Sequence, residues 1–200
     1  MKYNPATHHR RSIRLKNYDY SQGGAYFITI LTKDRKNLFG KVVDGEMKPN
    51  EFGDILTECW HWLVKHHVYV DLDEWVLMSN HLHGIIVIQD GLGRGGSRTA
   101  LTPLAPAIPS TTKRKPLGRL VGAFKTVSTR RINELRRTEG FTVWHRNYYE
   151  HIIRSEKAMN RIREYIFSNP LRWEFDRENP KGQIDKMEKE FWKGVGQAPP

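Results

Sequence analysis

Asn80-His81-Leu82-His83-Gly84-Ile85-Ile86-Val87-Ile88 decides how this chain is read. The run is rich in β-branched residues and follows Ser79-Asn80, a turn pair, so it predicts a strand entered from a hairpin. Alternate side chains of an extended chain share a face. His81 and His83 therefore point one way, roughly 6 to 7 Å apart along the strand, and Leu82 points the other. Two imidazoles so placed can reach one cation. The same pair also suits a strand that simply opens with two locally hydrogen-bonded histidines, so a metal site needs a third ligand and a reactive group from elsewhere.

Upstream of this strand, Val68-Tyr69-Val70-Asp71-Leu72 and Trp75-Val76-Leu77-Met78 read as one extended, bulged strand that the Ser79-Asn80 turn joins to it. Asn50 is placed to cap a helix over about 51 to 66, with Phe52, Ile55, Leu56, Cys59, Leu63 and His66 at three- and four-residue spacing and Trp60 and Trp62 beside them. Asp44-Gly45 between Leu38–Val43 and Glu46–Lys48 signals a two-residue hairpin. Ala25–Thr32, aromatic and β-branched with little polar alternation, predicts a central strand buried on both faces.

Residues 1–24 form a basic arm that includes Arg11 and Arg14. Residues 25–170 read as one domain. Within it, residues 89–116 are rich in Gly, Pro, Ser and Thr and read as a flexible loop, and 171–200 form a tail carrying Trp173, Phe175, Phe191 and Trp192. A helix is expected over about 117 to 137, on a stripe of Leu117, Leu120, Val121 and Phe124 and then Val127 or Ser128, Arg131 or Ile132, and Leu135, ending near Gly140. Phe141–Trp144 opens another strand that leads into Arg146–Arg154. Strand, helix, strand, hairpin to strand, loop, helix, strand is the split βαβ order of an α+β, ferredoxin-like antiparallel sheet with helices on one face.

Thirty-three Lys and Arg against twenty-two Asp and Glu give a net charge of +11 and a pI near 9.8. That balance favours a polyanionic partner, nucleic acid first. Lys113, Arg114, Lys115, Arg119, Lys125, Arg130, Arg131, Arg136 and Arg137 crowd the second helix and its approach, opposed only by Glu134, and so are expected to meet phosphates. No apolar run reaches the roughly 20 residues of a membrane span. Cys59 is the single cysteine, which rules out an intrachain disulfide and a cysteine-based zinc site and suits a reducing, cytoplasmic or nucleoid-associated protein.

Ser155 is placed to cap a last helix that Pro170 stops, and Ala158, Ile162, Tyr165 and Asn169 fall on one stripe of it. If that stripe packs beside His81 and His83, the Tyr165 phenol lies by the metal and the Asn169 amide oxygen supplies a third ligand. A core tyrosine with a hydrogen-bonded hydroxyl is the other reading.

Ser79-Asn80-His81-Leu82-His83 resembles the His-hydrophobic-His motif of single-tyrosine HUH transposases. Arg146–Arg154 and Tyr165-Ile166-Phe167-Ser168-Asn169-Pro170 resemble later blocks of their REP-associated tyrosine transposase branch, and Arg11–Leu15 and Gly24–Phe27 its N-terminal region. The ordered set spans residues 10–172. The resemblance implies a ferredoxin-like, Mg²⁺- or Mn²⁺-dependent single-strand DNA endonuclease and strand transferase, acting on REP-type hairpin DNA through a covalent 5′-phosphotyrosine. It implies Tyr165 as nucleophile, with His81, His83 and Asn169 at the metal. Related enzymes often carry Gln where Asn169 stands. Tyr148 and Tyr149 are rival nucleophiles, but they follow a strand without a ligand one turn away and join Arg146 and Trp144 as candidate DNA contacts. A hairpin-binding protein without catalysis, and a metal nuclease that activates water, are the competing functions; monomer and homodimer are both compatible.

Overall fold

A computed structural model describes residues 14–15, 17–90, 113–183, 186, 188, 190 and 191. Arg11, the rest of the arm before residue 14, Trp192 and residues 91–112 of the expected loop lie outside the described residues. β1 (Gly24–Leu31), β4 (Val70–Leu77), β5 (His81–Ile88) and β6 (Tyr149–Ile153) form one antiparallel sheet in the order β4-β5-β1-β6. With α1 (Glu51–His66) and α2 (Leu117–Arg136) on one face, this is the ferredoxin-like α+β arrangement. β2 (Gly40–Val43) and β3 (Glu46–Pro49) pair as a separate hairpin. Asp44 (φ 52°) and Gly45 (φ 75°) supply the two left-handed residues that such a tight turn needs.

Period-two alternation divides β5 between two cores. Leu82, Ile86 and Ile88 join Tyr26, Ile28 and Ile30 of β1 beneath Leu56, Trp60, Leu63, Leu120 and Phe124 of α1 and α2. Ile85 joins Phe27, Tyr149 and Ile153 on the opposite face, where α3 (Glu156–Ser168) lays down Ile162, Tyr165 and Ile166. Gly84 is demanded by the first core: a Cβ there would sit 2.6 Å from the Trp60 ring. Asn50 caps α1 by accepting from the Phe52 and Gly53 amides, and Ser155 caps α3 by accepting from Ala158.

α2 runs as expected and ends at Arg136, because Arg137 (φ 51°) takes the left-handed position before Gly140 is reached. One element differs from expectation. Phe141–Trp144 contributes one isolated bridge, Thr32 to Trp144, rather than a strand. Trp144 instead turns into the first core, where its indole N–H donates to the buried Ser128 hydroxyl (2.9 Å), which explains a serine on the apolar stripe of α2. Beyond Pro170 the chain stays packed, winding through a 3-10 turn over Pro170–Phe175 to the buried Asp176 and Glu178. No helix among the described residues is long and apolar enough to cross a membrane.

Candidate active site and metal centre

His81 and His83 open β5 on the α3 face and are completely or almost completely buried. Their rings lie 4.4 Å apart between centroids. The Asn80 amide donates to the Arg35 (3.2 Å) and Glu178 (2.7 Å) carbonyls, so its Oδ1 faces His81 Nδ1 at 2.8 Å. His81 must donate there, which leaves its Nε2 with a lone pair. His83 Nδ1 pairs with the Thr29 hydroxyl at 2.8 Å. Neither Nε2 has a hydrogen bond among the described residues. Burial holds the His83 ring well below the usual histidine range, with His81 adding to the effect. Burial also lowers His81, against the pull of the Asp176 carboxylate. Both imidazoles are thus kept neutral, the form that binds a metal.

Asp176 completes the set. One of its oxygens lies 3.8 Å from His81 Nε2, and ligand atoms of His81, His83 and Asp176 all fall within 4.8 Å of one another. Two buried imidazole nitrogens with no hydrogen bond among the described residues and a buried carboxylate suit a divalent cation. Asn169, one turn after Tyr165, is also buried here; its Nδ2 donates to Asp176 (2.7 Å), while no donor among the described residues reaches its Oδ1. It is therefore both a potential fourth donor and the group that orients Asp176. Sequence reasoning missed Asp176 because it lies past Pro170 in a charged, tryptophan-containing stretch with no periodic pattern.

Tyr165 packs over this cluster, its ring 5.3 Å from that of His83 and 6.2 Å from that of Phe27. Phe191 stacks on its other side at 4.7 Å. Burial, and then the charges of Asp176, Glu188 and Glu178, push the phenol well above its ordinary range. A pocket beside it is lined by Ser168, Asn169, Arg172, Phe175, Asp176 and Glu188.

The other named residues are not among the groups of the cluster or the pocket, although Tyr149 shares the α3 face and pairs with Thr29 in the sheet. Tyr149 is buried on the α3 face against Phe27. Tyr148 is half-buried and accepts from Arg14 (2.8 Å), which also approaches the buried Glu150. Burial raises both phenols. Lys125 donates to the His145 and Asn147 carbonyls (2.9 Å each), and burial lowers its ammonium to about 8. Arg131 pairs with Glu58, and Arg114 with Asp90. Lys113, Lys115, Arg119, Arg130 and Arg146 are exposed, with Arg130 near Glu134.

A curated protein of Haemophilus influenzae (strain ATCC 51907 / DSM 11121 / KW20 / Rd), named only as an uncharacterized protein, is 43% identical over 175 residues, or 88% of this chain and 96% of its own length. The chain belongs to that protein's family. No family model matches it. Among solved structures, that of the REP-associated tyrosine transposase bound to a REP hairpin superposes with a TM-score of 0.54 at 13% identity, covering 96% of this chain and 93% of that one. The family thus has the fold of the REP-associated tyrosine transposases, as the ordered motifs imply.

Proposed function

We propose that the protein is a metal-dependent single-strand DNA endonuclease and strand transferase that acts on hairpin DNA of the REP type through a covalent 5′-phosphotyrosine. The observation that carries this reading is a tyrosine ring 5.3 Å from His83, on the helix that also brings Asn169 against a buried His81–His83–Asp176 cluster. A solved protein of the same fold is described as bound to a REP hairpin.

His81, His83 and Asp176, with Asn169, would hold Mg²⁺ or Mn²⁺, which when bound polarises a phosphate and offsets its charge. The chain's own groups do the rest. Thr29 and Asn80 fix the ring planes of the histidines. Tyr165 Oη attacks the scissile phosphorus; the new bond joins Oη to phosphorus as the bond to the 3′-oxygen breaks, the phenol giving up its proton and the departing 3′-oxygen gaining one. Attack of a 3′-hydroxyl on the phosphotyrosine reverses the step onto a new junction without ATP. The exposed cations Lys113, Lys115, Arg119, Arg130 and Arg146, with Arg11 of the arm, would track phosphates, and Tyr148 with Arg14 would meet bases or backbone.

The test is incubation of the full chain with a labelled DNA hairpin bearing a single-stranded flank, with Mn²⁺. A protein–DNA adduct that survives denaturant, is absent in Tyr165→Phe and is lost on chelation is the expected result. Adduct retained in Tyr165→Phe but lost in Tyr148→Phe or Tyr149→Phe would move the nucleophile. Cleavage without adduct, retained in Tyr165→Phe, would instead establish a water-activating nuclease. Binding without cleavage would leave a hairpin-binding protein.

A further inference from the structure

The nucleophile helix is tied to the sheet by a charged pair. Between Leu72 and Trp75 the register of β4 against β5 slips: Leu72 faces Ile86 and Trp75 faces Gly84, so Asp73 and Glu74 together stand opposite Ile85. Such a bulge bends a strand and re-aims its side chains. Leu72 and Trp75 both pack with the α1–α2 core, whereas Asp73 is delivered to the α3 face, beside Ile85 of the α3 core.

There it meets Arg163, two residues before Tyr165. Arg163 Nε donates to Oδ1 and Nη2 to Oδ2 of Asp73, both at 2.7 Å, a two-pronged fork. The remaining prong, Nη1, donates to Asn160 (3.0 Å) and approaches Glu156 (3.5 Å), so the guanidinium is also braced along its own helix. The Arg163 and Asp73 side chains are 34% and 23% exposed. This is more shelter than a surface pair has, and the planar match fixes direction as well as distance. The apolar contacts of Ile162 and Ile166 hold α3 against the sheet, and the fork adds a directional contact that they lack.

Resting on the reading of Tyr165 as nucleophile, we infer that the Asp73–Arg163 fork is a positioning device, which registers α3 on the sheet so that Tyr165 stands over His83. Asp73 and Arg163 touch neither the metal cluster nor the pocket beside Tyr165 and are positioning residues, not catalytic ones. A slide of about 1 Å at a reacting centre can cost about 100-fold in rate. The fork therefore matters to the rate of the covalent step rather than to the affinity for DNA.

The experiment uses the full chain, Mn²⁺ and the flanked hairpin in single-turnover reactions, together with hydrogen exchange of the α3 amides. Arg163→Lys keeps the charge and loses the fork; Asp73→Asn keeps the shape and loses the charge. Each is expected to slow adduct formation at saturating DNA by about tenfold or more, to leave the half-saturating DNA concentration within about twofold, and to speed exchange in α3 while β1 and β5 stay protected. Wild-type rates in both variants, or rate and affinity falling together, would overturn the inference. Unchanged α3 exchange overturns the fork alone. A wild-type chain that forms no Tyr165-dependent adduct sinks the nucleophile assignment, and the positioning role with it.

Discussion

The two faces of the sheet are built from the same strands and do opposite things. Toward α1 and α2, β5 presents Leu82, Ile86 and Ile88 to a large apolar core that includes Trp60, Phe124 and Trp144. Toward α3 it presents His81 and His83 and then Ile85, among buried polar groups from Asn169 to Glu178. A strand's period of two lets one residue enter an apolar core and the next a cluster of buried polar groups. The lesson is that stability is concentrated on the side away from the site, so polar groups that a core would not tolerate can be kept dry beside Tyr165.

Adjacent substitutions in β5 should separate the two faces, with the larger effect on chemistry. His83→Ala is expected to abolish Mn²⁺-dependent adduct formation and to weaken Mn²⁺ binding by a factor of about 10 to 100 or more, read by calorimetry. Its loss of stability, about 1 to 3 kcal/mol for the buried Thr29 hydroxyl left without its partner, should be the smaller of the two. Leu82→Ala, next door, should cost about 2 to 5 kcal/mol in urea unfolding and leave Mn²⁺ affinity intact in the folded fraction. If His83→Ala destabilised as much as Leu82→Ala while metal binding survived, the faces would not be divided as described.

Gly84 probes the boundary between the faces from the stable side. A methyl group there would stand 2.6 Å from Trp60 and 3.2 Å from the Trp75 Cβ. Two ring systems would have to shift. Gly84→Ala is expected to cost about 1 to 3 kcal/mol, measured by thermal or urea unfolding. A neutral result would mean that Trp60 moves freely, contrary to a core in which it is completely buried.

How much of this was readable in the chain follows from the same division. The strands, both capped helices and the hairpin obey local rules: Asn50 and Ser155 carry their caps and Asp44-Gly45 its turn. That Tyr165 shares a stripe with Ile162 and Asn169 was legible, because helical spacing fixes which side chains face together; that this stripe packs beside the histidines was an open condition, with a core tyrosine as the other reading. Asp176 was not legible, since it enters through an irregular turn whose path depends on the packing of Asn169 and Glu178. That α1 and α2 share one face was legible in the order of elements, but not that Tyr165 lies across the sheet from them. The charge excess of α2 is a fact of composition, but Leu117, Leu120, Val121 and Phe124 pack on the sheet face opposite Tyr165.

That last point gives the smallest and sharpest test. Arg119 and Arg130 are exposed on α2, across the sheet from the cluster, so on the proposed function any phosphate they meet is not the scissile one. Arg119→Gln and Arg130→Gln should each weaken hairpin binding modestly and reduce the slope of log affinity against log salt by about one, while the single-turnover rate at saturating DNA stays at the wild-type value. Arg130 has Glu134 at 3.6 Å, so its share should be the smaller of the two. Unchanged affinity and salt slope in both would remove α2 from the DNA path altogether. A fall in the saturated rate with unchanged affinity would mean that the outer face of α2 reaches the reacting centre, which the sheet between them forbids in this arrangement.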